Sequence, residues 1–319
     1  MRSPVHKGVI RKVDTSAAEK IPGVVGFVMP KDIPGARFHG ACGDQPVLAD
    51  EFISYKGEDL ALVVAVDEDT CQEALEAVKL DIEEQEPVFD MYKAMEPDAP
   101  LVRPNLKSNV WEYEPGMTTR VLYVGDVEQG LAEADYIVEG KYRTGEQDHA
   151  AMEPMVSVAH FDDAGRLAIH THSQCLYFQL GQLAAIFDLP LSQIRYIGGT
   201  VGGGFGGKNH IHADHFAGLA AIKFRRPVKY RMTRREDLLY STKRGVFDLE
   251  YKTGVKKDGT LTANHIKIWH DAGAFGGFSP YGVEKGGMFA SGPYHIPHMR
   301  MDGQCVLTNK LGSSSMRGL

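Results

Sequence analysis

The residues with the clearest chemical potential lie at positions 198–208, Gly-Gly-Thr-Val-Gly-Gly-Gly-Phe-Gly-Gly-Lys, where seven of eleven positions are glycine. Glycine costs backbone entropy and is used where φ must be positive or where backbone must press against something. A run this dense is more than a simple turn requires. It offers backbone N–H groups to an anionic group or an oxo ligand. Residues 202–208 also fit the G-x-x-x-x-G-K part of a phosphate-binding loop, but the next position, which should be Ser or Thr to hold Mg²⁺, is Asn209. Two further clusters carry titratable groups: Asp148, His149 and Glu153, then His210, His212 and His215 beside Asp214. Spacings of two and three residues put those histidines on different helical faces, which does not suit a metal. Hydrogen-bonded burial is the ordinary state for the first cluster. No metal ligand is expected. Ser173-Gln174 stands where a strand should hand over to a helix, a place where polar side chains often act.

The elements that must position these residues can be read around them. A strand-like run at 193–197 precedes the glycine loop and a helix-like run at 217–224 follows it. Residues 156–161 and 166–172 alternate as a hairpin about Asp162-Asp-Ala-Gly165, and 176–189 is an amphipathic helix ending before Pro190. Upstream, residues 1–88 read as a small α/β unit with strands at 8–13, 23–29, 59–66 and 79–84. Its helix at 67–78 has acidic residues in the first turn. Residues 89–120 are Pro-rich and read as a linker. A second domain begins near Val121, with a short helix at 125–135, a strand at 136–143, a hairpin at 251–260 turning on Asp258-Gly259, and a strand at 261–269. Residues 271–277 and 282–287 read as loops. The basic–acidic run from Arg225 to Asp237 reads as a solvated face or a subunit contact.

Composition narrows the function classes. The 319 residues are 43% hydrophobic and 24% charged, which is ordinary globular chemistry sufficient for two domains. A net charge of −7 argues against bulk binding to nucleic acid or an anionic membrane. No apolar run approaches the ~20 residues of a membrane helix. The N-terminus lacks the apolar core of a secretory signal, so a cytoplasmic location is expected. Cys42, Cys71, Cys175 and Cys305 form no C-x-x-C pair, so reduced thiols are expected and any iron–sulfur cluster would lie on another chain.

Taken in order, the motifs resemble the xanthine dehydrogenase and aldehyde oxidase family, the molybdenum hydroxylases. Gly-Gly-Gly-Phe-Gly-Gly-Lys at 202–208 is similar to that family's molybdenum-site loop. Gln147-Asp-His, Met152-Glu-Pro, Gln174, Arg226-Pro-Val-Lys, Thr233-Arg-Arg-Glu-Asp, Pro293-Tyr-His-Ile-Pro297, Thr308-Asn309 and Ser315-Met-Arg-Gly-Leu319 resemble its later segments. Arg2-Ser-Pro, Asp14-Thr-Ser, Pro22-Gly-Val and Tyr55-Lys-Gly-Glu resemble its hammerhead domain. The resemblance implies an α+β chain: an α/β hammerhead domain over 1–88, a linker over 89–120, and the first half of the molybdopterin-binding domain over 121–319. It implies molybdopterin, as the cytosine dinucleotide, held near Gln174, Gly204, Phe205, Gly206 and Arg317, and a substrate lined by Asn209, Lys285 and Leu319. Three departures stand out. Asn209 replaces a glutamate that binds purines, Lys285 replaces an arginine in the pair with Glu284, and Leu319 replaces an aromatic.

The implied reaction is hydroxylation with water as oxygen source. The glutamate base belongs to a later segment of the family, and its loss costs ~10²–10⁴ in rate, so no catalytic side chain is expected here. A second molybdopterin subunit is expected to supply it, as in split enzymes of the nicotinate dehydrogenase kind, unless the sequence is a fragment. Iron–sulfur and FAD subunits would carry electrons away. The substrate would be an N-heterocycle of purine or nicotinate type, or an aldehyde. A non-catalytic scaffold and a nucleotide-binding loop are the readings from other classes.

Overall fold

The computed structural model describes residues 1–314 and Met316. The chain builds two compact units from interleaved segments. The first comprises Met1–Pro87, Asp148–Thr242 and Asn309–Leu311; the second comprises Val88–Gln147, Lys243–Thr308 and the described residues from 312 on.

In the first unit, a four-stranded sheet runs in the order Ile194–Gly198, Leu167–Thr171, Val156–Phe161, Val228–Arg231. Asp162 makes the hairpin turn, its Oδ1 accepting from the N–H groups of Ala164 and Arg166 at 3.0 and 2.9 Å. Leu167–Thr171 and Ile194–Gly198 are parallel, so the chain must cross over between them, and it does so through the helix Leu176–Phe187. That helix buries Gln179, Leu183, Ile186 and Phe187, spaced as one face of a 3.6-residue repeat. It ends at Asp188, which takes the left-handed conformation at φ 51°. The helix Asp214–Phe224 is buried continuously from Asp214 to Ala221.

The N-terminal segment packs into the same core. Val28, Ile33, Val47, Leu48 and Leu62 join Leu167, Ile169, Leu183, Ile186 and Phe216 in one buried cluster. Its strands are Gly8–Asp14 between Phe52–Ile53 and Lys79–Glu84, and Val24–Val28 paired with Leu62–Ala65. The helix Glu68–Ala77 is capped by Asp67, which accepts from the Thr70 N–H at 2.8 Å. Gly35 and Ala36 donate backbone N–H groups to Ile186 and Ala185, at 3.0 and 2.8 Å, and so satisfy the last carbonyls of Leu176–Phe187.

In the second unit, a five-stranded sheet runs Arg120–Val124, His298–Leu307, Leu261–Gly273, Phe247–Val255, Tyr136–Thr144. Leu261–Gly273 extends past Trp269 and is parallel to His298–Leu307. Their crossover contains a helix, Ser279–Phe289, over residues that read as a loop in the sequence. Pro280 sits in its first turn, and Gly287 is a packing residue: a Cβ there would overlap the Met301 side chain. The irregular backbone between 94 and 109 is stitched by buried Asn109, whose amide donates to the carbonyls of Ala94 and Pro100 and accepts from the Val102 N–H.

No helix among the described residues is long and apolar enough to cross a membrane.

Candidate functional site

Gln174 and the glycine loop lie at the same end of the first unit's sheet, beyond the C-terminal ends of the two parallel strands Leu167–Thr171 and Ile194–Gly198. Ligands gather there because backbone N–H groups and helix starts converge. The loop backbone is left-handed at three nearby positions: Gly203 at φ 92°, Phe205 at φ 50° and Gly206 at φ 101°. Phe205 is the costly one, since a side chain there is strained by about 1–3 kcal/mol in general and must be held by its surroundings. The residue is 55% exposed.

Gln174 supplies part of the hold. Its Oε1 accepts from the N–H groups of Gly206 and Lys208, at 3.1 and 3.2 Å, while the Gln174 backbone N–H donates to the Lys208 carbonyl at 3.0 Å. The amide carbonyl is spent on the loop, so the NH₂ is what this side chain offers to a ligand. Gly204 is glycine because a Cβ would overlap the Gln174 amide. The N–H groups of Gly203, Gly204 and Phe205 make no hydrogen bond among the described residues. Three consecutive unengaged donors in a left-handed turn form the concave nest that anionic and oxo groups occupy.

A second layer lies beneath. Glu153 Oε2 accepts from the Gly202 N–H at 2.9 Å and from the Lys208 ammonium at 2.6 Å, and Oε1 lies 2.6 Å from His172 Nδ1. The Lys208 side chain is 1% exposed. Burial alone would push the Glu153 carboxyl up; Lys208, the Gly202 N–H and His172 outweigh it and hold it below the ordinary range. Gln179 Nε2 donates to the carbonyls of Lys208 and His210, and the Tyr196 hydroxyl donates to Gln179 Oε1 at 2.8 Å. Asn209 Oδ1 accepts from the Cys175 thiol at 3.4 Å.

The structure therefore brings Gln174, Gly204, Phe205, Gly206 and Asn209 together. Lys285 belongs to the second unit, on the helix Ser279–Phe289, with its ammonium 5.2 Å from the Tyr281 ring; its neighbour Glu284 pairs with Arg120 at 3.1 Å. Arg317 and Leu319 lie outside the described residues. Sequence reasoning missed the joint work of Glu153, His172, Lys208 and Gln179, although the motif Met152-Glu-Pro held one of them. The histidines His210, His212 and His215 are spread between a turn and a helix start. The His215 ring lies 5.3 Å from that of His39, tilted by 40°, and among the described residues no three His, Cys, Asp or Glu converge on a metal-ion position.

A family model described as the molybdopterin cofactor-binding domain matches residues 110–319, and one for the a/b hammerhead domain of aldehyde oxidase and xanthine dehydrogenase matches residues 1–86. The nicotinate dehydrogenase large molybdopterin subunit of Eubacterium barkeri is 33% identical over 318 residues, 99% of this chain and 73% of its own length. A probable xanthine dehydrogenase subunit of Bacillus subtilis (strain 168) is 34% identical over 321 residues, 100% of this chain and 42% of its own. The aldehyde oxidoreductase from Desulfovibrio gigas superposes with a TM-score of 0.93 at 30% identity, covering 99% of this chain and 35% of that one. The chain thus spans between 35% and 73% of these relatives' lengths.

Proposed function

The chain belongs to the xanthine dehydrogenase and aldehyde oxidase family of molybdenum hydroxylase oxidoreductases, as a molybdopterin-binding chain, and from that premise we propose that it forms one half of a heteromeric hydroxylase. In this reading the enzyme oxidises an N-heterocycle of the purine or nicotinate type with water as the oxygen source. The observation that carries it is the nest of unengaged N–H groups at Gly203, Gly204 and Phe205 beside the Gln174 amide. This donor set fits a cofactor rich in oxo and phosphate oxygens. When bound, the cofactor supplies the redox centre at which a C–H bond is oxidised by two electrons.

The chain's own residues then hold and orient. Gln174 donates from its NH₂ and the loop N–H groups donate beside it; Arg317, which the family resemblance adds to the cofactor-binding set, lies outside the described residues. Asn209, with its carbonyl taken up by Cys175, presents an amide donor to a ring heteroatom and cannot act as an acid. In the sequence Lys285 keeps the family's positive charge without an arginine's planar fork, and Leu319 stands where the family carries an aromatic; these residue types favour a smaller or anionic ring over a stacked purine. The likeness to the nicotinate dehydrogenase chain supports that direction. The base, a glutamate, would come from a second molybdopterin subunit, the cofactor would be the cytosine dinucleotide form, and iron–sulfur and FAD subunits would complete the cytoplasmic assembly. Aldehyde oxidation is the second reading, favoured by the fold agreement with the Desulfovibrio gigas enzyme.

The test is metal and nucleotide analysis of the protein purified with its co-purifying subunits, followed by turnover with nicotinate, purines and aldehydes. Molybdenum near one per chain, a pterin dinucleotide and turnover of a heterocycle are expected. A molybdenum-free complex would defeat the reading, and turnover of aldehydes alone would select the second one.

A further inference from the structure

We infer that Glu153 and Lys208 are positioning residues for the cofactor cradle, a buried ionic brace that sets the loop's ligand-facing conformation. The inference rests on the reading of residues 198–208 as that cradle. One carboxylate oxygen of Glu153 receives both the N–H of Gly202, within the loop, and the ammonium of Lys208, where it ends. The span between these anchors contains all three left-handed positions, including the strained Phe205. The Glu153 N–H also donates to the Gly202 carbonyl at 3.2 Å, so two bonds fix the first anchor. The glycines are fitted to the brace: a Cβ on Gly202 would lie 2.7 Å from Glu153 Cβ, and one on Gly199 would lie 2.9 Å from the His172 ring. His172 Nδ1 lies 2.6 Å from the other carboxylate oxygen.

A lysine is unusual in such a place. Its side chain is 1% exposed, and a buried ammonium is tolerated only with a partner. Hydrophobic packing would fill the space without that cost, but it would not join two points of the loop through one atom. The ion pair therefore serves geometry. Neither residue presents a group to the ligand itself, and their effect passes through the loop backbone.

The experiment compares the wild type, E153Q, K208M and the E153Q/K208M double variant, each purified with its co-purifying subunits. Molybdenum per chain, the thermal midpoint, and kcat and KM per bound molybdenum are read for each. Residues that support a metal site from behind are commonly worth about 10–100-fold in affinity or activity. Each single variant should lose molybdenum on that scale, and the fraction still loaded should show a lower kcat with little change in KM. In the double variant no buried charge stands alone, so the thermal midpoint should return toward wild type while molybdenum stays low. Wild-type molybdenum content in E153Q overturns the inference. So does a double variant that regains molybdenum together with its midpoint, because the pair would then act on stability alone. A wild type without molybdenum refutes instead the cradle reading on which the inference rests.

Discussion

At the scale of single residues, the site is a set of polar atoms whose orientation is fixed by backbone. Gln174→Ala would leave the N–H groups of Gly206 and Lys208, both on buried residues, without an acceptor. A loss of about 1–3 kcal/mol is expected in chemical denaturation, with reduced cofactor content. Gly204→Ala should act by the opposite route, pushing the Gln174 amide out of place, with a similar cost from overpacking of about 1–3 kcal/mol. If that variant keeps both wild-type stability and molybdenum content, the close approach of loop and amide is not needed. Gln174 and the glycine run were legible in the sequence because glycine density and a strand-to-helix junction are local signals. Glu153, His172, Lys208 and Gln179 were not, since they lie as far as 55 positions apart and meet only when the sheet and the crossover helix have formed.

At the scale of elements, the helix Leu176–Phe187 links the site to the N-terminal segment. Gln174 precedes its first turn, and its final carbonyls accept the N–H groups of Gly35 and Ala36. A Cβ on Gly35 would overlap the Ala185 carbonyl, and backbone cannot yield as a side-chain tip can. Gly35→Ala should therefore break both bonds, lower the thermal midpoint and reduce molybdenum content, although the substitution lies in a different segment from the loop. An unchanged midpoint would show that the carbonyls find other partners. The hairpin was legible from its alternation and its turn, and the helix Glu68–Ala77 from the acidic residues of its first turn. The helix Ser279–Phe289 did not, because Gly282, Gly286 and Gly287 lower helix propensity by about 1 kcal/mol each. Tertiary packing overrides that cost: Gly287 lets the helix lie close over Met301 and its strand.

At the scale of the whole molecule, burial of histidines gives a pH dependence with a definite sign. Burial pushes His39 down to about 4 and holds His210 and His215 well below the ordinary imidazole value, with neighbouring histidine rings adding to the effect on the latter two. The unfolded chain protonates these groups near pH ~6.5 and the folded chain does not. Their contribution is present above about pH 6.5 and is lost as pH falls toward about 4, at about 1.4 kcal/mol per pH unit for each such histidine. Buried Asp214, whose carboxyl is pushed up, works in the reverse sense. Urea unfolding at pH 7, 6 and 5 should show the decline, and a flat profile would contradict it. The interleaved path of the chain has a further consequence, for synthesis. Among the described residues the strand Arg120–Val124 finds its sheet neighbour only in His298–Leu307, so it waits on the order of ten seconds for that neighbour at about 5–20 residues per second. Through that interval the backbone N–H and C=O groups of Arg120–Val124 that the ladder will satisfy stay unpaired on a strand leaving the ribosome, an open edge that nascent-chain chaperones are suited to shield until translation delivers the missing strand.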